Sequence, residues 1–331
     1  MFVVHTTRRW RTRDERLPRC SERAAKVVVV TMHIAKVAGM AMRARFAALA
    51  IAACTFVPSV VTSQPGSRPS VVSAAKVDSI YEVFAVRYAS LPFRVSGLIA
   101  GADTSRRLDI AMMVWVLKRP DGSAVLVDAG FYREPLMMQW KPVDYLRPDS
   151  AVATLGITPA RISDVIVSHV HWDHFDGADL FTGARVWMQR EEAEHHVDSA
   201  GGVRNRAING ADARMLHAFR ESGRLMLIEG DGQQILPGIR VFTGGKHTFA
   251  SQYVSVRTAQ GIVVIASDNA YLYENLDKRL PIAQTLDAAS NLAAQARMMT
   301  IASPSTLIVP GHDPLVFRRF PLLSPRVARI R

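Results

Sequence analysis

The chain has 331 residues, of which 49% are hydrophobic and 21% charged, so it is long enough for one large domain with a sizeable core. Its net charge of +12 gives no reason to expect a nucleic-acid partner for the folded part, because residues 1–63 hold 11 Lys and Arg against 3 Asp and Glu. Both cysteines, Cys20 and Cys54, also lie in that segment, which excludes a disulfide, a four-cysteine zinc site and a cysteine nucleophile from the rest.

Residues 1–75 are predicted to form a tail outside the fold. Phe46–Val57 is an apolar run that is too short to span a bilayer comfortably but fits the hydrophobic region of a signal peptide. The four residues that end at Cys54 resemble a lipoprotein cleavage site, which would anchor the protein to a membrane through a lipidated Cys54. Cleavage after Ser63 and a chance apolar run are the alternatives. With Gln64–Ser73 as a linker, we expect an exported protein, either periplasmic or secreted.

Residues 76–331 are expected to form one domain in which strands alternate with helices. Runs of β-branched and aromatic residues predict strands, and apolar residues at helical spacing predict a helix at Thr285–Ile301. Ser150–Ser163 and Arg190–Ser222 are also expected to be helical, whereas Phe131–Leu146 has no clear period and forms either core or an apolar cover over an active site. The predicted strands are Ile80–Tyr88, Met112–Lys118, Ala124–Val127, Ala184–Gln189, Arg224–Ile228, Ile239–Thr243, Gln252–Arg257, Gly261–Ser267 and Thr306–Val309.

The segment His169–Gly177 has the sequence HVHWDHFDG and follows a β-branched run. His169 and His171 are two residues apart, so a loop at a strand end can direct both side chains to one point. Asp173 and His174 follow at once. Imidazole nitrogen and carboxylate oxygen are the usual ligands of zinc and related metals. The segment therefore predicts a metal-binding loop rather than a polar loop with chance histidines.

Further polar residues follow predicted strands. His247, Asp268 and His312 each come directly or shortly after one, and Asp128 follows Ala124–Val127. Rigid strands that carry ligands in short loops are suited to a preformed metal site.

The order H-x-H-x-D-H, then His, Asp and His, resembles the dinuclear pattern of the metallo-β-lactamase fold superfamily. This resemblance implies an α/β fold, namely a four-layer αβ/βα sandwich of two mixed β-sheets flanked by helices. It also implies two divalent metal ions, with zinc as the default. Val127–Gly130 resembles the V-D-x-G of that superfamily, which implies that Asp128 supports the metal loop; the alternative is a turn-forming residue at a strand end. The implied ligands are His169, His171 and His247 for the first metal, Asp173, His174 and His312 for the second, and Asp268 as the bridge.

Asp268-Asn269-Ala270-Tyr271 resembles the N-acyl homoserine lactonases, in which such a tyrosine donates to the lactone carbonyl. The resemblance implies a lactonase that opens N-acyl homoserine lactone or related rings by a metal-bridging hydroxide. Tyr271 would hold the oxyanion, and Asp173 or Asp268 would pass a proton to the leaving group. The alternative for Tyr271 is a packing role.

The segment His247–Ala250 departs from the H-[ST]-P-G-H of those lactonases but keeps the ligand. This difference leaves other substrates open: a thioester, a sulfate ester, a phosphodiester or a β-lactam. A non-catalytic metal-binding scaffold is the alternative of another class. We expect a small-molecule ester or lactone as partner, with a homodimer as one option for the assembly.

Overall fold

The computed structural model describes residues 79–331. The predicted tail, including Phe46–Val57, Cys54 and the linker, lies outside the described residues, as does the predicted domain start at residue 76. No helix within residues 79–331 has both the length and the apolar character needed to cross a membrane.

The described residues form strands and short helices in alternation. The strands are β1 (Glu82–Arg94), β2 (Arg107–Lys118), β3 (Ala124–Val127), β4 (Ile162–Ile166), β5 (Arg185–Gln189), β6 (Leu225–Ile228), β7 (Gln233–Leu236), β8 (Ile239–Thr243), β9 (Gln252–Thr258), β10 (Gly261–Ser267), β11 (Ile308–Pro310), β12 (Leu322–Ser324) and β13 (Val327–Arg329). The α-helices are α1 (Glu134–Trp140), α2 (Pro148–Ala153), α3 (Trp172–Phe175), α4 (Arg190–His196), α5 (Gly210–Glu221), α6 (Tyr273–Lys278), α7 (Ala288–Ile301) and α8 (Val316–Arg319).

These strands form two mixed sheets. The first has the order β12-β13-β1-β2-β3-β4-β5-β6, and its strands are antiparallel as far as β3 and parallel from β3 to β6. The second has the order β11-β10-β9-β8-β7, with β10 and β11 parallel and the other pairs antiparallel. Because β8 and β10 are both antiparallel to β9, the carboxyl ends of β8, β10 and β11 lie at the same edge.

Side chains of β2 alternate between two cores, as the two-residue period of a strand requires. One set lies in the core between the sheets: Ala111, Met113, Trp115 and Leu117. The other faces the helices on the first sheet: Ile110, Met112, Val114 and Val116. On the far side of the second sheet, α7 packs Ala294 and Met298 against Val264 and Ala266. The order helix, sheet, sheet, helix confirms the predicted four-layer sandwich.

The differences from the predicted elements lie mainly in short segments. The helical prediction for Arg190–Ser222 is wrong in its middle, where residues 197–209 contain Gly201 and Gly202 and separate α4 from α5. The predicted helix at Ser150–Ser163 is replaced by the end of α2, one turn of 3-10 helix and the start of β4. Helix α1 and strands β7, β12 and β13 were not predicted, because segments of three to seven residues depend on tertiary pairing, as β13 does on β1.

Candidate metal centre

The structure brings together all seven residues predicted as metal ligands. His169 and His171 lie in the loop after β4, and Asp173 and His174 lie in α3, which continues that loop. The other three follow strands of the second sheet: His247 after β8, Asp268 after β10 and His312 after β11. Their ligand atoms form two groups, one of His169, His171, His247 and Asp268 and one of Asp173, His174 and His312, each within 4.8 Å.

In the first group, three imidazoles converge. His171 Nδ1 lies 3.1 Å from His169 Nε2 and 2.9 Å from His247 Nε2. Because Nδ1 of His247 lies 2.7 Å from the carbonyl oxygen of Gln284, which can only accept, that nitrogen carries the proton and Nε2 presents a lone pair. Burial lowers the pKa of His169 well below its ordinary value and that of His171 to about 4. Neutral imidazoles of this kind suit zinc and related divalent metals.

Asp268 directs one oxygen to each group. Its Oδ2 lies 3.3 Å from His247 Nε2 and 3.7 Å from His169 Nε2. Its Oδ1 lies 3.0 Å from His312 Nε2 and 3.3 Å from His174 Nε2. A carboxylate with this orientation can serve both groups at once. The following β11 loop approaches it closely, because a Cβ at Gly311 would lie 2.8 Å from Asp268 Oδ1.

Two buried polar atoms at the second group, one of His174 and one of the adjoining Asp268, are satisfied by no described residue. His174 Nε2 and Asp268 Oδ1 are both buried and lack a hydrogen bond of acceptable geometry. Burial opposes a charge on His174, but Asp268, Asp173 and Asp128 together raise its pKa well above the ordinary value. The surroundings of this group therefore stabilise positive charge, which a divalent cation would supply while also satisfying the unpaired atoms. The residues fit a site for two metal ions.

Asp128 supports the metal loop but belongs to neither ligand group. Its carboxylate accepts hydrogen bonds from Ser168 N at 2.7 Å, Ser168 Oγ at 2.9 Å, His174 Nδ1 at 2.8 Å and Ser267 Oγ at 3.0 Å. Its backbone has φ of 57°, in the left-handed region that aspartate tolerates better than most residues. Asp128 thus combines the two roles considered from the sequence: it forms the turn and supports the loop.

Tyr271 lies beside both groups. Its hydroxyl is 3.3 Å from Nδ1 of His247, but that N–H already donates to Gln284 at 2.7 Å, so the tyrosine proton stays available for another acceptor. Burial, followed by the charges of Asp268 and Asp173, raises the pKa of Tyr271 well above its ordinary value. The phenol is therefore a hydrogen-bond donor at neutral pH.

A cavity of about 260 Å³ opens over these residues. Its polar wall contains residues of the two groups together with Tyr271: His171, Asp173, Asp268 and His312. The remainder is largely apolar, and includes Leu91, Phe93, Leu98, Ile110, Met112, Trp140 and Trp172. The arrangement can place a polar reacting group at the histidines while an attached apolar chain is removed from water.

One segment that lines this cavity has both of the roles considered for it from the sequence. Trp140 and Trp172 stack with ring centroids 4.6 Å apart, so the segment Phe131–Leu146 contributes both core, through Phe131, and a wall of the cavity. His196 is a buried packing residue and His195 stacks on Phe249, and neither belongs to the ligand groups.

The sequence gives no indication that Glu192 contacts the metal loops. It is fully buried and accepts hydrogen bonds from the backbone of two ligand-bearing loops. No local signal could have found it, because a glutamate in a polar helical segment normally faces solvent.

A sequence model described as the metallo-beta-lactamase superfamily matches residues 112–312. The N-acyl homoserine lactonase AiiA of Bacillus thuringiensis subsp. kurstaki is 26% identical over 161 residues, which is 48% of this chain and 59% of that protein. The N-acyl homoserine lactonase AttM of Azorhizobium caulinodans is 28% identical over 172 residues, 49% of this chain and 62% of that protein. The match thus spans about three fifths of the length of these relatives.

Solved structures support the same fold. A crystal structure of a quorum-quenching N-acyl homoserine lactone lactonase superposes with a TM-score of 0.62 at 20% identity, covering 75% of this chain and 98% of the other. AidC, described as a dizinc quorum-quenching lactonase, superposes with a TM-score of 0.56 at 13% identity, covering 72% and 89%. At these identities the likeness shows the fold alone.

Proposed function

The chain belongs to the metallo-beta-lactamase superfamily, and on that premise we propose that it is a dinuclear metal-dependent hydrolase of ester bonds, with lactones as its substrates. The observation that carries this proposal is the position of Asp268, with one oxygen toward each ligand group and the hydroxyl of Tyr271 on the same cavity.

We assign His169, His171 and His247 to a first metal, Asp173, His174 and His312 to a second, and Asp268 to both. Two divalent ions held there would supply Lewis acidity and a water whose pKa is lowered toward neutrality. Zinc suits these nitrogen and oxygen ligands, and manganese, iron and cobalt share the preference.

The chain's own residues divide the remaining work. Tyr271, protonated at neutral pH, donates a hydrogen bond to the substrate carbonyl oxygen. This hydrogen bond becomes stronger as negative charge develops on that oxygen. Asp173 lies on the cavity wall with its Oδ2 3.6 Å from His312 Nε2, where it can accept the proton that the attacking water loses and return it to the leaving alkoxide. Asp268 is the second candidate for this transfer.

The substrate class rests on two supports. Relatives that match about half of this chain are N-acyl homoserine lactonases. The cavity beside Tyr271 has an apolar wall that suits an acyl chain. We therefore propose N-acyl homoserine lactones or closely related lactones with an apolar chain.

The test is a substrate panel with purified, zinc-loaded protein. We expect turnover of acyl lactones to exceed that of a thioester, a sulfate ester, a phosphodiester and a β-lactam. Turnover of any of these without lactone opening would replace lactonase by that activity. Two bound metals with no turnover of any ester would favour a non-catalytic scaffold.

We also propose, from residues 1–75 alone, that the protein is exported and that its mature amino terminus lies between Cys54 and Ala74. Intact-mass analysis of natively expressed protein tests this proposal. Cys54→Ser should release the protein from membranes if Cys54 is lipidated and should have no such effect if cleavage occurs after Ser63. Retention of residues 1–39 on the mature protein would contradict export.

A further inference from the structure

A buried carboxylate outside both ligand groups joins the loops that carry the first group. Glu192 lies in α4 with none of its surface exposed. Its Oε1 accepts from the backbone N–H of Val170 at 3.2 Å, and Val170 is the residue between His169 and His171. Its Oε2 accepts from Ala250 N at 2.7 Å, three residues after His247. One side chain thus spans two loops that come from different sheets.

We propose that Glu192 is a positioning residue that holds the three imidazoles of the first group at the spacing a metal ion needs. The inference rests on the proposed metal sites. It makes an asymmetric prediction, because the described hydrogen bonds of the Glu192 carboxylate reach the loops of the first group, whereas His174 of the second group is held by Asp128. Loss of Glu192 should weaken the first site and spare the second.

The role requires two acceptor oxygens. Burial opposes the charge of Glu192, but the neighbouring His196 and the hydrogen bond from Ala250 N lower its pKa, so the side chain stays a carboxylate. Glutamine has nearly the same size but offers one acceptor and one NH₂ group. Glu192→Gln therefore places an NH₂ donor opposite one of the two backbone N–H donors. The hydrogen bond that attaches one of the two loops is lost.

The same carboxylate is linked to the wall of the cavity. His196 Nε2 lies 3.5 Å from Glu192 Oε1, and His196 Nδ1 lies 2.6 Å from Asn205 Oδ1. Asn205 Oδ1 also accepts from Ala207 N at 3.1 Å, and Ala207 lines the cavity over the ligand groups. His196 therefore packs against the Glu192 carboxylate and is itself held in place by Asn205.

The experiment measures zinc binding rather than activity. Full-length protein is freed of metal with a chelator and titrated with zinc against a chromophoric competitor. We expect wild-type protein to bind two zinc ions, and Glu192→Gln to bind one of them about 10- to 100-fold more weakly, the usual effect of removing a group that orients a ligand. Glu191→Gln, an exposed neighbour on the same helix, should bind both as wild type does.

The affected site is identified in two further backgrounds. In His247→Ala, where the first site is already impaired, Glu192→Gln should add little; in Asp173→Ala it should keep its full effect. Glu192→Asp, too short to reach both loops, gives the same test if the glutamine variant does not fold. Wild-type affinity for both ions in Glu192→Gln, or equal weakening of both sites, would overturn the inference. Two-zinc binding without lactone turnover would instead remove the proposed substrate and leave this role intact.

Discussion

Oδ2 of Asp128 lies 2.8 Å from Nδ1 of His174, and this contact turns the opposite nitrogen, Nε2, toward Asp268. A carboxylate only accepts, so Nδ1 carries a proton, and Nε2 is the nitrogen at which a metal would take the place of a second proton. The tautomer of one predicted ligand is thus set by a residue 46 positions earlier in the chain.

Asp128→Asn should weaken metal binding without disturbing the turn. Asparagine tolerates the left-handed backbone at this position, but its NH₂ group opposes one of the donors from Ser168, Ser267 or His174. We expect zinc affinity to fall about 10- to 100-fold and the free energy of unfolding by about 1–3 kcal/mol. Zinc titration and chemical denaturation measure the two. Asp144→Asn, exposed and also at positive φ, is the control, and equal behaviour of the two variants would contradict the supporting role.

Tyr271→Phe should lower turnover and leave metal content unchanged. The change removes the hydroxyl that lines the cavity, while none of the hydrogen bonds described for the ligand groups depends on its donation. We expect kcat/KM for a lactone to fall about 10- to 1000-fold, the range for one lost transition-state donor. Tyr273→Phe, which is buried outside the cavity, is the matched control. Unchanged lactone turnover in Tyr271→Phe would leave the packing role as its explanation.

Asp268→Ala should lower both metal occupancy and turnover. It removes a carboxylate that directs one oxygen to each ligand group, so two cations would be left with one fewer shared anion. Elemental analysis of protein purified without chelator should show fewer than two metals per chain. Asp277→Ala, exposed on α6, should retain both. Full occupancy in Asp268→Ala would exclude a bridging role.

Trp140→Ala should change the preference of the enzyme for the acyl-chain length of its lactone substrate. Its ring stacks on Trp172 and forms part of the apolar wall, so its loss leaves a long acyl chain less protected from water. We expect KM to rise about 10-fold or more for long-chain lactones, on the scale of burying one large side chain, and little change for short-chain ones. Met138→Ala, 68% exposed on the same helix, should affect neither. An equal change for both chain lengths would place the acyl chain elsewhere.

Asp212→Asn should remove a pH dependence of stability. Burial, followed by the charge of Asp176, raises the pKa of Asp212 to about 8. The unfolded value is about 3.9, so the folded protein retains a proton that unfolding releases, and the free energy of unfolding falls as pH rises from about 4 to 8. Asparagine stays neutral, so the stability of the variant relative to wild type should increase across this window.

Denaturation of both proteins at several pH values measures the difference. Glu221→Gln, at the exposed end of the same helix, should follow wild type throughout. A constant difference between Asp212→Asn and wild type would show that Asp212 is ionised in the folded protein.

The local sequence pattern was sufficient to predict those strands and ligands whose role depends on neighbouring residues in the chain. Strands β3, β8 and β10 have the predicted bounds, because β-branched runs between turn residues favour strands wherever they are packed. The order of the histidines and aspartates likewise indicated the metal groups, since ligands that arrive in short loops after strands need few residues to define them.

The tertiary structure decided what depends on contacts between distant segments. The Trp140–Trp172 stack, the tautomer of His174 and the attachment of two loops by Glu192 join residues 22 to 58 positions apart. Burial changes how such residues behave: a glutamate in a polar helix holds two loops together, and the pKa of an aspartate in α5 is raised. Composition cannot show which polar residue is buried from solvent, because its burial is determined by the packing of all the layers around it.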